Sequence, residues 1–216
     1  MDNNIFEQMA KKYDTEERIE LAKVIVKEVR PELQDSKSKS LIDYGSGTGL
    51  ICLELSDMVD SVLLVDSSKQ MLDVAKEKIS RKGITNSKVI HADFTEETPK
   101  LKADIVLMSL VLLHIQDTKK ILQELFNVLN TGGKLIIIDF DENDKVSHPK
   151  VHNGFSHESL KKILSEVGFK STKIKTFYHG NRIFVNQDAS MFIASSIKWF
   201  LDNASGVNEY PSVFFE

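Results

Sequence analysis

The sequence predicts an α/β fold with a mainly parallel sheet and helices on both of its faces. Short apolar runs alternate with segments of helical periodicity, which is typical of consecutive β-α-β units. Two of these runs, 105–108 and 135–138, are apolar throughout, as expected of central strands that are covered on both sides. Directly after the first apolar run come three glycines at alternate positions, Gly45, Gly47 and Gly49, where the chain is expected to turn sharply.

The order of the elements follows from periodicity and from residues that begin or end helices. Apolar residues recur at helical spacing over 15–30, and this segment ends before a proline. The helix predicted over 69–81 has Ser67 or Ser68 as its N-cap and Gly83 beyond its end. Further helices are predicted at 50–58, 118–129 and 156–167, and strands at 41–44, 62–65, 88–91, 104–109, 134–139, 171–177 and 191–195.

Composition limits the classes of function that the chain can have. The 216 residues, 41% of them hydrophobic, suffice for one domain with a sizeable core. The single cysteine, Cys52, excludes an intrachain disulfide framework and a cysteine-rich metal site, and it favours a cytoplasmic location. The net charge of -4, with both signs interleaved, argues against a nucleic-acid partner. No apolar stretch approaches the roughly 20 residues of a membrane span, so we expect no membrane partner. We expect the chain to be a monomer or a homodimer.

The glycine segment carries the strongest functional signal. A strand at 41–44 that turns through glycines into a helix brings bare backbone close to a ligand. The next apolar run, 62–65, ends in Asp66, about 20 residues past the first glycine, where an acid can bind ribose hydroxyls. The dinucleotide pattern G-x-G-x-x-G would need a glycine where this chain has Leu50.

With Asp43 included, the segment D-x-G-x-G-x-G resembles the nucleoside-binding loop of class I S-adenosylmethionine-dependent methyltransferases. The resemblance covers about residues 38–170. It implies a Rossmann-like, doubly wound, mainly parallel seven-stranded sheet, with an antiparallel last strand inserted beside the fifth. It also implies an N-terminal helical lid at 1–35, a cofactor-binding domain at 36–200 and a C-terminal tail at 201–216.

Two further segments resemble the same family. The turn at 129–135 is similar to the family's L-x-P-G-G corner, with Thr131 in place of the proline. The opening F-x-x-x-A-x-x-Y-D, from Phe6 to Asp14, resembles the small-molecule branch, which includes quinone-biosynthesis-type enzymes. In that branch the segment covers the cofactor and its tyrosine lies near the methionine carboxylate, a role that falls here on Tyr13.

The resemblance implies S-adenosyl-L-methionine as the cofactor and assigns a set of contacts to it. Asp66 would bind the ribose diol, Asp93 the exocyclic amine of adenine, and Phe94 or Ala92 the adenine ring. Tyr13 could instead be a packing residue, Asp66 a helix cap and Asp93 a surface acid. The full set of expected cofactor residues is Tyr13, Asp43, Gly45, Ser46, Gly47, Asp66, Ser67, Met71, Ala92, Asp93, Phe94 and Ser109.

His114, after the fourth strand, is the candidate catalytic base, with a purely structural role as the alternative. His148, His152 and His157 lie in the loop before the last helix, near where such enzymes bind acceptors. No metal site is expected, because the acids at 139 and 141 have no acidic partner at the end of the fourth strand.

The predicted function is methyl transfer from S-adenosylmethionine to a small-molecule acceptor whose reacting atom the sequence does not identify. Two alternatives stay open. One is a non-catalytic, cofactor-binding relative with a regulatory role. The other is a nicotinamide-dependent oxidoreductase. Leu50 and the lack of an evident Tyr-x-x-x-Lys pair argue against it.

Overall fold

The computed structural model describes residues 3–199, which contain a single seven-stranded sheet. Its order is β3-β2-β1-β4-β5-β7-β6. The first five strands are parallel, and β7 runs antiparallel between β5 and β6. The predicted doubly wound fold and the inserted last strand are therefore confirmed. The strands are β1 Ser40–Tyr44, β2 Ser61–Asp66, β3 Ser87–His91, β4 Ala103–Ser109, β5 Leu129–Phe140, β6 Phe169–Phe184 and β7 Gln187–Lys198.

The α-helices begin and end where the sequence places their caps. The hydroxyl of Ser68 accepts the Met71 N–H at the start of α3, and Gly83, at φ 64°, ends it. Ser156 and Gly168 do the same for α5. The helices are α1 Asn3–Met9, α2 Glu16–Val29, α3 Lys69–Lys82, α4 Thr118–Val128 and α5 His157–Val167.

The helix predicted over 50–58 is wrong. The chain forms two short 3-10 helices there, Cys52–Glu54 and Ser56–Met58. The hydroxyl of Ser56 donates to the Leu53 carbonyl at 2.9 Å and so competes with the helical ladder. As a result the glycine loop does not lead into the N-terminus of an α-helix, the feature that binds a pyrophosphate in dinucleotide sites.

Three strands are longer than the sequence predicts. β5 starts five residues early, and β6 and β7 extend to a tight hairpin at 184–187. The extension of β5 pairs Leu129 with the distant Ala103 of β4, and the extension of β6 and β7 is a hairpin whose turn has no glycine to mark it. Their consequence is that the β6–β7 hairpin reaches past the carboxyl end of β5.

Alternating side chains fill one apolar cluster on each face of the sheet. One face packs against α2 and α3, and the other against α4 and α5. From α2 the side chains of Ile25 and Val29 enter the first cluster, and Leu33 follows them; all three are buried. α2 therefore belongs to the core, although it lies within the segment 1–35 that is expected to form a lid. The predicted tail at 201–216 lies outside the described residues.

The strand order reverses between β1 and β4. Tyr44, the last residue of β1, pairs with Val65 of β2 on one side and Met108 of β4 on the other. Ligands of open α/β sheets bind beyond the carboxyl ends of the strands at this point. None of the helices in residues 3–199 is long and apolar enough to cross a membrane.

Candidate cofactor and acceptor site

A cavity of about 490 Å³ opens beyond the carboxyl ends of β1 and β4. This is within the usual range for a small-molecule site. Five parts of the chain enclose it: the glycine loop after β1, the segment 109–114 after β4, the N-terminal residues through the first turns of α2, the segment 140–151 at and after the end of β5, and the tip of the β6–β7 hairpin. The cavity therefore joins the expected cofactor loop to elements from both ends of the described chain.

The glycine loop presents bare backbone to this cavity. A Cβ on Gly45 would stand 2.3 Å from a methyl carbon of Val111, so the loop packs against the segment after β4 with no room for a side chain. A Cβ on Gly47 would meet only the ring of Tyr13, at 3.9 Å. The space above Gly47 is therefore open, and a ligand can approach its backbone. Both glycines have positive φ, at 72° and 53°.

Asp43 lies beneath the loop and is 3% exposed. Burial raises the pKa of its carboxyl to about 7, although a hydrogen bond with the Cys52 thiol lowers it. The same burial raises the pKa of Cys52, which makes this thiol a packed group rather than a nucleophile. Asp43 also lines the cavity and so provides a polar floor below the loop.

Asp66 holds the glycine loop through its carboxylate. Its Oδ2 accepts the Gly47 N–H at 2.7 Å, and its Oδ1 accepts the Ser68 N–H at 2.8 Å. Burial raises the pKa of Asp66, and these two bonds oppose that rise. Each oxygen keeps a further lone pair that a ribose hydroxyl can use. The cap of α3 is supplied by Ser68, so the alternative of Asp66 as that cap is not needed.

The residues expected around adenine lie outside the lining of the cavity. Asp93 Oδ1 accepts the Thr95 N–H at 2.9 Å and its hydroxyl at 2.6 Å. Phe94 is 1% exposed, and its ring is tilted against that of Tyr44 at 4.6 Å. The expected residues that are absent from the lining are Asp66, Ser67, Met71, Ala92, Asp93 and Phe94.

Helix α1 lies next to the residues that are expected to contact the adenosine part of the cofactor. Glu7 Oε1 accepts the Lys69 N–H, at the start of α3, at 2.7 Å. Phe6 packs edge-on against the ring of His114, with 5.5 Å between the centroids. α1 thus reaches from the end of β2 to the end of β4, across the ends of the strands where the cofactor is expected.

His114 lies in a short 3-10 helix and lines the cavity. Burial lowers the pKa of its imidazole to about 4, so the ring is neutral at neutral pH and only a weak base. Asp139 fixes the backbone of this segment, because its Oδ2 accepts the Leu113 N–H at 3.1 Å. Burial raises the pKa of Asp139 to about 7. His114 therefore lines the cavity as a neutral ring on a segment that Asp139 holds in place.

The three histidines expected near the acceptor have different surroundings, and the last of them, His157, is the first residue of α5 and not part of the loop. His148 lines the cavity. The Nε2 of His152 bonds to the Ile115 carbonyl at 2.8 Å, and that of His157 bonds to Asp141 Oδ1 at 2.8 Å. The latter two tie the loop 141–156 to the rest of the fold.

Two contributors to the cavity were missed from the sequence. The guanidinium of Arg18 lies 4.2 Å above the ring of Tyr13 and donates to the Tyr13 carbonyl at 3.0 Å. The hairpin tip adds Ile183, Phe184 and Val185. Arg18 looks like any charged residue on an amphipathic helix, and the tip has no glycine to mark a turn, so neither carries a local signal.

The residues present fit the methionine part of S-adenosylmethionine. The hydroxyl oxygens of Ser46 and Ser109 are buried, and the described residues offer them no hydrogen-bond partner. Both serines line the cavity, beside the open backbone of Gly47 and the guanidinium of Arg18. Unpaired buried hydroxyls are costly unless a ligand or water satisfies them. Hydroxyls and a guanidinium can bind the amine and the carboxylate of the methionine part. The open backbone of Gly47 lets the narrow methionine chain approach.

Comparisons with known proteins agree with this geometry. A family model described as a methyltransferase domain matches residues 35–183. The ubiquinone/menaquinone biosynthesis C-methyltransferase of Vibrio campbellii is 26% identical over 170 residues, which are 76% of this chain and 60% of that enzyme. The tRNA 5-carboxymethoxyuridine methyltransferase of Escherichia coli is 29% identical over 120 residues, 54% of this chain and 46% of that enzyme.

The chain thus spans between about half and three-fifths of the length of these curated relatives. Among solved structures, a SAM dependent methyltransferase from Aquifex aeolicus superposes with a TM-score of 0.66 at 24% identity. That superposition covers 89% of this chain and 98% of the other, and it shows a shared fold.

Proposed function

The chain belongs to the class I S-adenosylmethionine-dependent methyltransferases, and on that premise we propose that it transfers a methyl group to a small, mainly apolar acceptor. The observation that carries the proposal is the composition of the cavity. Its lining combines polar groups from the glycine loop and Arg18 with many aliphatic and aromatic side chains. The polar groups suit the cofactor, and the apolar side chains suit the body of an apolar acceptor.

The cofactor, when bound, supplies a methyl group that is already activated on a sulfonium. In this chain Arg18 would hold the methionine carboxylate, since it already lies beside Tyr13 at the cavity. Ser46 and Gly47 would contact the methionine chain, and Asp66 the ribose diol. The protein's remaining task is to align an acceptor atom with the methyl group and to exclude water.

The apolar wall serves both of these purposes. It includes Leu113, Phe140, Val151 and Phe184, which come from the segment after β4, the end of β5, the loop 141–156 and the β6–β7 hairpin. A water-poor wall strengthens polar interactions inside the site and protects the activated methyl group from hydrolysis. The neutral imidazole of His114 would accept a hydrogen bond from an acceptor hydroxyl and so orient it.

A small acceptor is favoured over RNA by the charge of the chain. Its 32 acidic residues exceed its 28 lysines and arginines. RNA binding normally rests on a basic surface that contacts phosphates. One relative is named as a tRNA methyltransferase, so RNA is the acceptor class to test beside small molecules.

Calorimetric titration tests the cofactor part of the proposal. We expect S-adenosylmethionine and S-adenosylhomocysteine to bind, and NAD to show no heat of binding, because Leu50 and the two 3-10 helices replace the pyrophosphate-binding helix start. NAD is the matched control, since it shares the adenosine part and differs in the rest. Tight NAD binding without any for S-adenosylhomocysteine would contradict the proposal.

A further inference from the structure

At the tip of the β6–β7 hairpin, one residue has a backbone conformation that is unfavourable for its type. Phe184 pairs with Gln187, which leaves Val185 and Asn186 as a two-residue turn. Both have positive φ, at 48° and 60°. Such turns favour Asn-Gly or Asp-Gly, and asparagine tolerates this conformation. For a β-branched residue such as Val185 it is a strained outlier.

This strained valine lines the cavity. Val185 is 43% exposed, yet it contributes to the cavity wall together with Ile183 and Phe184. The ring of Phe184 stacks on that of Phe140 at 4.2 Å and within 5° of parallel. Because Phe140 is the last residue of β5, this stack fixes the hairpin tip to the end of a central strand. Val185 therefore stands at a defined place on the cavity rim.

A second exposed apolar residue lies on the same cavity. Among residues 6–199, whose burial the structure describes, three large hydrophobic residues are exposed, namely Met9, Val185 and Trp199. Met9 and Val185 come from opposite ends of the described chain, and both line this cavity. Exposed apolar side chains gathered at a cavity typically mark contact with an apolar ligand.

We propose that the β6–β7 hairpin tip determines acceptor specificity, with Val185 in contact with an apolar part of the acceptor at the cavity rim. The proposal rests on the proposed function. A turn that served only to connect β6 and β7 would be better made with glycine at this position. The strain of Val185 is then explained by the apolar surface that it gives the site, a known exchange of stability for function.

The test compares two glycine substitutions at the tip, Val185→Gly and Asn186→Gly. Both relieve a left-handed backbone, but only position 185 lines the cavity. The probe is the neutral apolar dye N-phenyl-1-naphthylamine, whose fluorescence reports binding, titrated with S-adenosylhomocysteine present and absent. We expect both variants to melt at or above the temperature of the unsubstituted protein. Val185→Gly should bind the dye about 3- to 10-fold more weakly, as expected for a lost apolar contact, and Asn186→Gly should bind it normally.

Val185→Asn provides a second variant, because asparagine tolerates the backbone and keeps the turn while it removes the apolar surface. It should bind the dye as weakly as Val185→Gly. Equal dye affinity in Val185→Gly, Asn186→Gly and the unsubstituted protein would overturn the inference, as would a failure of the unsubstituted protein to bind the dye. Binding of S-adenosylhomocysteine by all three variants separates this outcome from a failure of the proposed function, in which that ligand would not bind at all.

Discussion

Replacement of Asp66 by alanine is expected to weaken the binding of S-adenosylhomocysteine by about 1.5–3 kcal/mol, roughly 10- to 150-fold. The ribose diol would lose its bonds to the carboxylate, and the Gly47 N–H would lose its acceptor at 2.7 Å. The second loss loosens the loop that approaches the cofactor. Calorimetric titration of the variant and of the unsubstituted protein measures the effect.

Ser68→Ala is the matched control for this prediction. Ser68 caps α3 and lies two residues from Asp66, and its hydroxyl accepts the Met71 N–H at 3.2 Å. Its loss should lower the free energy of unfolding by about 0.5–2 kcal/mol and leave cofactor affinity nearly unchanged. If Asp66→Ala instead melts early and binds the ligand normally, Asp66 is only a structural clamp.

Deletion of residues 1–9 is expected to lower turnover about 100-fold while the melting temperature changes little. None of the α1 side chains whose burial the structure describes is buried, so the core loses little. The site, however, loses Phe6 from the ring of His114 and Met9 from the cavity wall. We expect the deletion to admit water and to loosen the acceptor, both of which lower turnover more than cofactor affinity.

The deletion ends before Tyr13 and Asp14 for a structural reason. Asp14 Oδ1 accepts the Thr48 hydroxyl, and its Oδ2 pairs with Lys78 at 2.5 Å, so a longer deletion would also disturb the glycine loop and α3. Phe6→Ala offers a milder version, which should lower turnover without any change in melting temperature. Full activity in both variants would show that α1 is not a lid.

The sequence was informative where structure is local. The run before Gly45, the glycines themselves and Asp66 at the end of β2 could be placed because strand, turn and strand end follow from neighbouring residues. The caps Ser68, Gly83 and Gly168 were predictable for the same reason. The glycine loop and Asp66 therefore follow from the sequence, whereas Arg18, which we propose to hold the methionine carboxylate, does not.

The acceptor side depends on contacts between distant segments. Val185 reaches the cavity because the long β6–β7 hairpin is seated by the stack of Phe184 on Phe140, residues 44 positions apart in the chain. Arg18, on the cofactor side, also reaches the cavity through a distant contact, because Ile25 enters the core and so fixes the orientation of α2. The stack of Phe184 on Phe140 leaves no periodic or compositional trace. The periodicity of α2 predicts its buried face but does not predict that Arg18 reaches the cavity.

The helix predicted at 50–58 failed for a related reason. Its apolar pattern is compatible with a helix. However, the Cys52 thiol hydrogen-bonds to Asp43 under the loop, and the Ser56 hydroxyl donates to the Leu53 carbonyl. These tertiary and side-chain bonds override helix propensity.

The most direct test of the central claim is the fate of a labelled methyl group. Methyl-labelled S-adenosylmethionine is incubated with the protein and with a cell extract divided into organic-soluble, water-soluble and RNA fractions. We expect label in a small molecule of the organic-soluble fraction, and far less of it with the Asp66→Ala variant. Label confined to RNA would contradict the small apolar acceptor, and cofactor binding without label in any fraction would indicate a non-catalytic relative instead of an enzyme.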